Sequence, residues 1–129
     1  MKQSNITRNR KEQFIGNLEF NYDKLNDLLY VYKKNSNVYS NVMIGDFHLE
    51  FNRNNELVGI EVLNASEILG EYGIPLKILE NIKKVDLKVI TRGNSLLVFM
   101  IIDSMDQTKS ATITMNNLEA PIMEAIAFA

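Results

Sequence analysis

Leu96-Leu97-Val98-Phe99-Met100-Ile101-Ile102 is the longest unbroken apolar run in the chain, and the way it is read decides the fold. Seven residues fall far short of the roughly 18 that a membrane-spanning helix requires. The turn-forming Arg92-Gly93-Asn94 stands before the run and Asp103 closes it, so it reads as a strand that is apolar on both faces. On either side the pattern changes to strict alternation. Val85, Leu87 and Val89 alternate with Lys84, Asp86 and Lys88, while Ala111, Ile113 and Met115 alternate with Ser110, Thr112 and Thr114. Period two places the apolar set of each run on one side of a half-buried strand. The C-terminal part therefore reads as three antiparallel strands with the most apolar one in the middle.

The same reasoning applies toward the N-terminus. Phe14, Leu18, Phe20 and Tyr22 occupy even positions opposite Asn17, Glu19 and Asn21, which predicts one strand over 14–22. Asp23 to Asp27 supplies turn residues whose side chains bond nearby backbone. Leu28–Tyr32 (LLYVY) is a second strand with apolar or amphipathic residues on both faces, followed by a polar loop over 33–37. Met43–Phe51 reads as one strand, with Phe47, Leu49 and Phe51 on one side and Asp46, His48 and Glu50 on the other. Asn52 to Asn55 makes a hairpin connection, and Leu57–Leu63 returns with Val58, Ile60 and Val62 on one face. Ser66 caps a short helix through Ile68 and Leu69 that Gly70 stops. Pro75 opens a second helix reaching Ile82, and 121–128 forms a closing one.

These readings describe an α+β, mainly β fold: antiparallel meanders of four and three strands joined by a short helical link, two-layer or barrel-like. The expected organisation is a flexible basic segment over 1–13, a first β-meander with its helix over 14–73, and a helix plus three strands over 74–129, all sharing one core. With 129 residues, 46% of them hydrophobic and 23% charged, the chain has ample material for a single core. Two strands that are apolar front and back need cover on both sides. The second face is covered either by packing of the two meanders against each other or by a second copy of the chain, so a homodimer is expected, with a barrel or sandwich closed within one chain as the alternative.

Composition narrows the function classes. The formal charge of −2 gives no general basic field for nucleic acid. No cysteine is present, which removes disulfides, thiolate nucleophiles and thiolate metal sites, and the single histidine, His48, excludes sites that need two imidazoles from one chain. No apolar leader or membrane-spanning stretch occurs, so a soluble cytoplasmic protein with no membrane association is expected. Abundant Asn, Ile and Lys with no Trp suit a low-GC prokaryotic genome. Charge is uneven: residues 1–13 hold Lys2, Arg8, Arg10 and Lys11 against Glu12, whereas 14–75 hold four cations against nine carboxylates.

The order Phe20, Tyr22-Asp23, Asp27 and Leu29-Tyr30-Val31, followed by Leu57-Val58-Gly59-Ile60-Glu61-Val62-Leu63-Asn64-Ala65-Ser66, resembles a small prokaryotic family of domains of unknown function. That family has the signature YDxxxDxLY … VGIEILxAS. The resemblance covers about residues 18–70 and leaves 74–129 as a C-terminal extension. It implies no activity. Some members resemble antitoxin-like partners of small toxins, which implies a protein-binding role. His48 stands where the family pattern has an aliphatic or acidic residue, so the resemblance assigns it no task.

One constellation has metal-ligand chemistry. Asp46, His48 and Glu50, at i, i+2 and i+4, are expected to project from one strand face, and Glu61 on the next strand faces outward beside them. One imidazole and these carboxylates suit Mn²⁺, Zn²⁺, Ca²⁺ or Mg²⁺. The glycines form no phosphate loop, and no serine sits in a nucleophile elbow. Tyr30 and Tyr32 beside Lys33 and Lys34 read as core or interface rather than as an RNA platform. The expected function is a non-enzymatic protein-interaction module acting as a homodimer, with no cofactor. The alternatives are a divalent-metal-binding protein or metal-dependent hydrolase using Asp46, His48, Glu50 and Glu61, and a small-ligand carrier with a cavity between the meanders.

Overall fold

Among residues 10–125, which the computed structural model describes, the alternating runs form nine strands in two antiparallel sheets. A four-stranded sheet contains β1 (Arg10–Ile15), β7 (Ile82–Arg92), β8 (Ser95–Ser104) and β9 (Thr108–Met115), in the order β1-β7-β8-β9. A five-stranded sheet contains β2 (Glu19–Asp23), β3 (Leu28–Tyr32), β4 (Ser40–Ile44), β5 (Phe47–Phe51) and β6 (Leu57–Val62), in the order β2-β3-β6-β5-β4. Helices α1 (Ala65–Glu71) and α2 (Leu76–Leu79) link the sheets, and α3 (Ala120–Ala125) follows β9. The last part of the expected closing helix, 126–128, lies outside the described residues. Neither sheet closes into a barrel.

Three expectations about the strands need correction. The stretch 14–22 is two strands in different sheets. Gly16 and Asn17 break it, Asn17 taking positive φ while its N–H donates to Asp86 Oδ1 at 2.8 Å. The break inverts the parity, so Phe14 faces outward and Ile15 enters the core. The stretch 43–51 is likewise a hairpin, β4 to β5, turning at Gly45-Asp46. Gly45 has φ of 58° and Asp46 is not among the positive-φ residues, the pattern of a two-residue type II′ turn. Finally, the first sheet is not a simple four-strand meander. β6 inserts between β3 and β5, so two hairpin systems zip together. Residues 10–13, expected in a flexible segment, belong to β1; residues 1–9 lie outside the described residues.

The two sheets share one contiguous core. Leu96, Val98, Met100 and Ile102 of β8 join Leu29 and Val31 of β3, Leu49 and Phe51 of β5, and Ile60 and Val62 of β6 in a single cluster of buried side chains. Each fully buried aliphatic or aromatic side chain of this kind contributes roughly 1.5–3 kcal/mol. A register shift opposite Glu50 and Phe51 pairs Phe51 with Leu57 and leaves Val58 as the extra residue. Leu57 therefore joins the cluster, whereas Val58, though buried, does not. Gln13 ties the sheets together at the polar level. Its side-chain amide donates to the Leu57 carbonyl and accepts from the Leu57 N–H, both at 2.9 Å.

The helices also differ from expectation. α1 continues through Gly70 to Glu71, and positive φ at Gly73 ends the turn that follows. α2 is a single turn, because Ile82 already belongs to β7. Ser66 does not cap α1. Asn64 holds the cap position without a side-chain bond, and the cap comes from the β2–β3 turn. The Asp27 carboxylate accepts from the Ser66 N–H at 2.9 Å, the Ser66 hydroxyl at 2.7 Å and the Tyr22 hydroxyl at 2.7 Å, while its carbonyl accepts from the Ala65 N–H at 2.9 Å. Burial opposes ionisation of Asp27, but the bonds from Tyr22 and Ser66 outweigh it and hold the carboxyl below its ordinary pKa. Burial first, and donation to Asp27 second, push Tyr22 up to about 12.

A depressed folded-state pKa adds stability above the unfolded value of about 3.9, and that stability is lost as pH falls through the folded value. Asp27→Asn, which removes the charge and one acceptor, is expected to cost about 2 kcal/mol at pH 7 in urea unfolding. The gap to wild type is expected to narrow below about pH 4.

Candidate functional site

Register across the five-stranded sheet sets out its outer face in rows. Asn21, Tyr30, Glu61, His48 and Met43 align across β2, β3, β6, β5 and β4, and Glu19, Tyr32, Gly59, Glu50 and Asn41 form the next row. The Tyr30 and Tyr32 rings stack with centroids 4.7 Å apart and planes inclined by 22°. The Tyr30 hydroxyl donates to Glu50 Oε1 at 2.6 Å. That bond reaches from β3 to β5 across the whole width of β6, and it passes over Gly59. A Cβ there would overlap Glu50 Oε1 and touch the Tyr30 ring. The glycine inside this strand thus marks a close approach of side chains from both flanking strands. Burial first, and the Glu50 bond second, raise the Tyr30 pKa, so its hydroxyl remains a donor at ordinary pH.

His48 and Glu61 are directly paired across β5 and β6, with Nδ1 3.5 Å from Oε1. The expected set of four is not brought together. Asp46 sits in the β4–β5 turn, where its carbonyl accepts from the Leu63 N–H at 2.9 Å, because the Met43–Phe51 stretch folds back rather than running straight. Glu50 turns to Tyr30, and only His48 and Glu61 face each other. Among the described residues, no group of three or more His, Asp or Glu side chains is placed to hold a metal ion. The face is an ordered polar surface, its two central carboxylates engaged by a phenol and an imidazole.

The outer face of the four-stranded sheet has the opposite character. Leu97, Phe99 and Ile101 run in a column along β8 and remain half-buried. Register places Ile90 beside Leu97, and Lys88 and then Phe14 beside Phe99. Phe14 is 66% exposed. Period-two reading of β8 anticipated this column; Phe14 was missed because the chain crosses between sheets at Gly16. Among the described residues, no helix is long and apolar enough to cross a membrane.

The family match falls on the five-stranded sheet and the start of α1. Residues 19–66 match the family described as "Protein of unknown function (DUF2283)". An uncharacterised protein of Methanocaldococcus jannaschii is 37% identical over 51 residues, which make up 40% of this chain and 44% of that protein. The chain thus spans less than half the length of this curated relative. No solved structure matches. The matched stretch opens at the first residue of β2 and closes at Ser66. In this chain it comprises the whole five-stranded sheet together with Tyr22, Asp27 and Ser66, whose hydrogen bonds fasten the start of α1 to the β2–β3 turn.

Gly59→Ala is expected to push the flexible Glu50 carboxylate off the Tyr30 hydroxyl while the backbone holds. Urea unfolding should show a loss of about 1–2 kcal/mol, and absorbance titration should show the Tyr30 midpoint falling toward its ordinary value of about 10.

Proposed function

We propose that this protein is a non-enzymatic interaction module that works as a homodimer, joined through the outer face of its four-stranded sheet. The observation that carries this reading is the column of Leu97, Phe99 and Ile101 on an interior strand, left half-buried, with exposed Phe14 beyond Lys88 in the Phe99 row. A sheet face that met only water would be expected to alternate into polar residues there, as β9 does with Ser110, Thr112 and Thr114. The apolar centre is edged by Asp86, Lys88 and these hydroxyl side chains, the arrangement of an apolar interface core within a polar rim. Two copies related by a twofold axis would set the same patch against itself. The binding role implied by the family resemblance points the same way.

Analytical ultracentrifugation tests this reading. Wild type is expected to sediment at twice the 14.8 kDa chain mass. Phe99→Glu, beside Lys88, is expected to raise the dissociation constant at least about 30-fold with an unchanged circular dichroism spectrum. A wild-type monomer at about 100 μM, or a Phe99→Glu dimer as tight as wild type, would overturn it.

A further inference from the structure

We propose that the loop end of the five-stranded sheet is a binding groove for a nucleotide phosphate, separate from the dimer face. The β3–β4 loop and the β5–β6 turn meet there around a groove of about 510 Å³, within the size range of small-ligand sites. Three of the four cations in residues 14–75, Lys33, Lys34 and Arg53, line it, and none of the nine carboxylates of that stretch does. In a segment this acidic, that separation concentrates positive potential at one place. No carboxylate of the described residues forms an ion pair with any of the three cations. The remaining wall supplies side-chain amides, Asn37 and Asn54 among them, and the Tyr39 ring.

The groove is held in shape from beneath. The Lys33 N–H donates to the Val58 carbonyl at 2.8 Å and the Tyr39 N–H to the Phe51 carbonyl at 2.7 Å. Asn52 Oδ1 accepts from the Asn54 and Glu56 N–H groups at 2.9 and 3.0 Å. The β5–β6 turn and both ends of the β3–β4 loop are therefore anchored before any ligand arrives, which lowers the ordering cost of binding. The aromatic element narrows the ligand class. The Arg53 guanidinium lies 4.6 Å from the Tyr39 ring centroid, and Tyr39 is still 63% exposed. A ring and a guanidinium beside these lysines match the two parts of a nucleotide: a base that stacks and a phosphate that takes the cations.

The probes are ATP and inorganic phosphate by titration calorimetry, and fluorescein-labelled decathymidylate by anisotropy at 50 mM salt. Binding of ATP but not of the strand identifies a free nucleotide as the source; binding of both identifies a single strand. Lys33→Ser/Lys34→Ser/Arg53→Ser is expected to weaken nucleotide binding at least 10-fold with no change in Tm. If the strand binds, the slope of log K against log salt is expected to fall by about 2 in magnitude in that variant, from three phosphate contacts at about 0.7 each. Tyr39→Leu is expected to weaken ATP binding while leaving any inorganic phosphate binding intact. Absence of ATP and strand binding at 1 mM protein, inorganic phosphate binding as tightly as ATP, or a triple variant that binds like wild type would each overturn the proposal.

Discussion

Most strands of this protein carry one strongly apolar face, and the two sheets bury those faces against each other in a single core. Everything else follows from that constraint. The chain has to cross from one sheet to the other, and it does so at Gly16-Asn17, where positive φ at Asn17 lets Ile15 and Leu18 both point inward on either side of the break. It also has to seal the boundary it leaves open, which Gln13 does by presenting its amide to the Leu57 backbone as a neighbouring strand would. The matched stretch, 19–66, supplies one layer; β1, β7, β8 and β9 supply the other.

Much of the layer content was legible in the sequence because period two is a local signal. Leu28–Tyr32, Leu57–Val62 and the three C-terminal strands stand close to where alternation places them. The failures have local physical causes. Gly45-Asp46 carried the same signal as Gly93-Asn94, a glycine followed by a short polar residue between apolar runs. It was read through because the alternation on either side appeared continuous. That single misreading put Asp46 on a face with His48 and Glu50. The Asp27 cap of α1 and the diagonal Tyr30–Glu50 bond join residues 20 to 39 apart in sequence, and no local pattern encodes such pairs. Gly59 was the one visible sign of the second, since a glycine inside an otherwise apolar strand usually marks a close approach.

The two outer faces divide the surface by chemistry. One is polar, its two central carboxylates set against Tyr30 and His48. The other is an apolar column that a second copy would cover. The basic groove belongs to neither face. It arises from the strand order β3-β6-β5-β4, which brings residues 33–39 and 52–54 to the same end of the sheet. Sequence reading saw Lys33 and Arg53 as separate loop residues because that order was unknown to it.

The shared core makes a direct demand on cooperativity. If the sheets depend on each other, native-state hydrogen exchange should give the slowest amides of β3 and β6 the same opening free energy as those of β7 and β8, with both equal to the global unfolding value. Exchange from β7 and β8 at a clearly lower free energy, while β3 and β6 stay protected, would show that the five-stranded sheet stands by itself and would contradict the account.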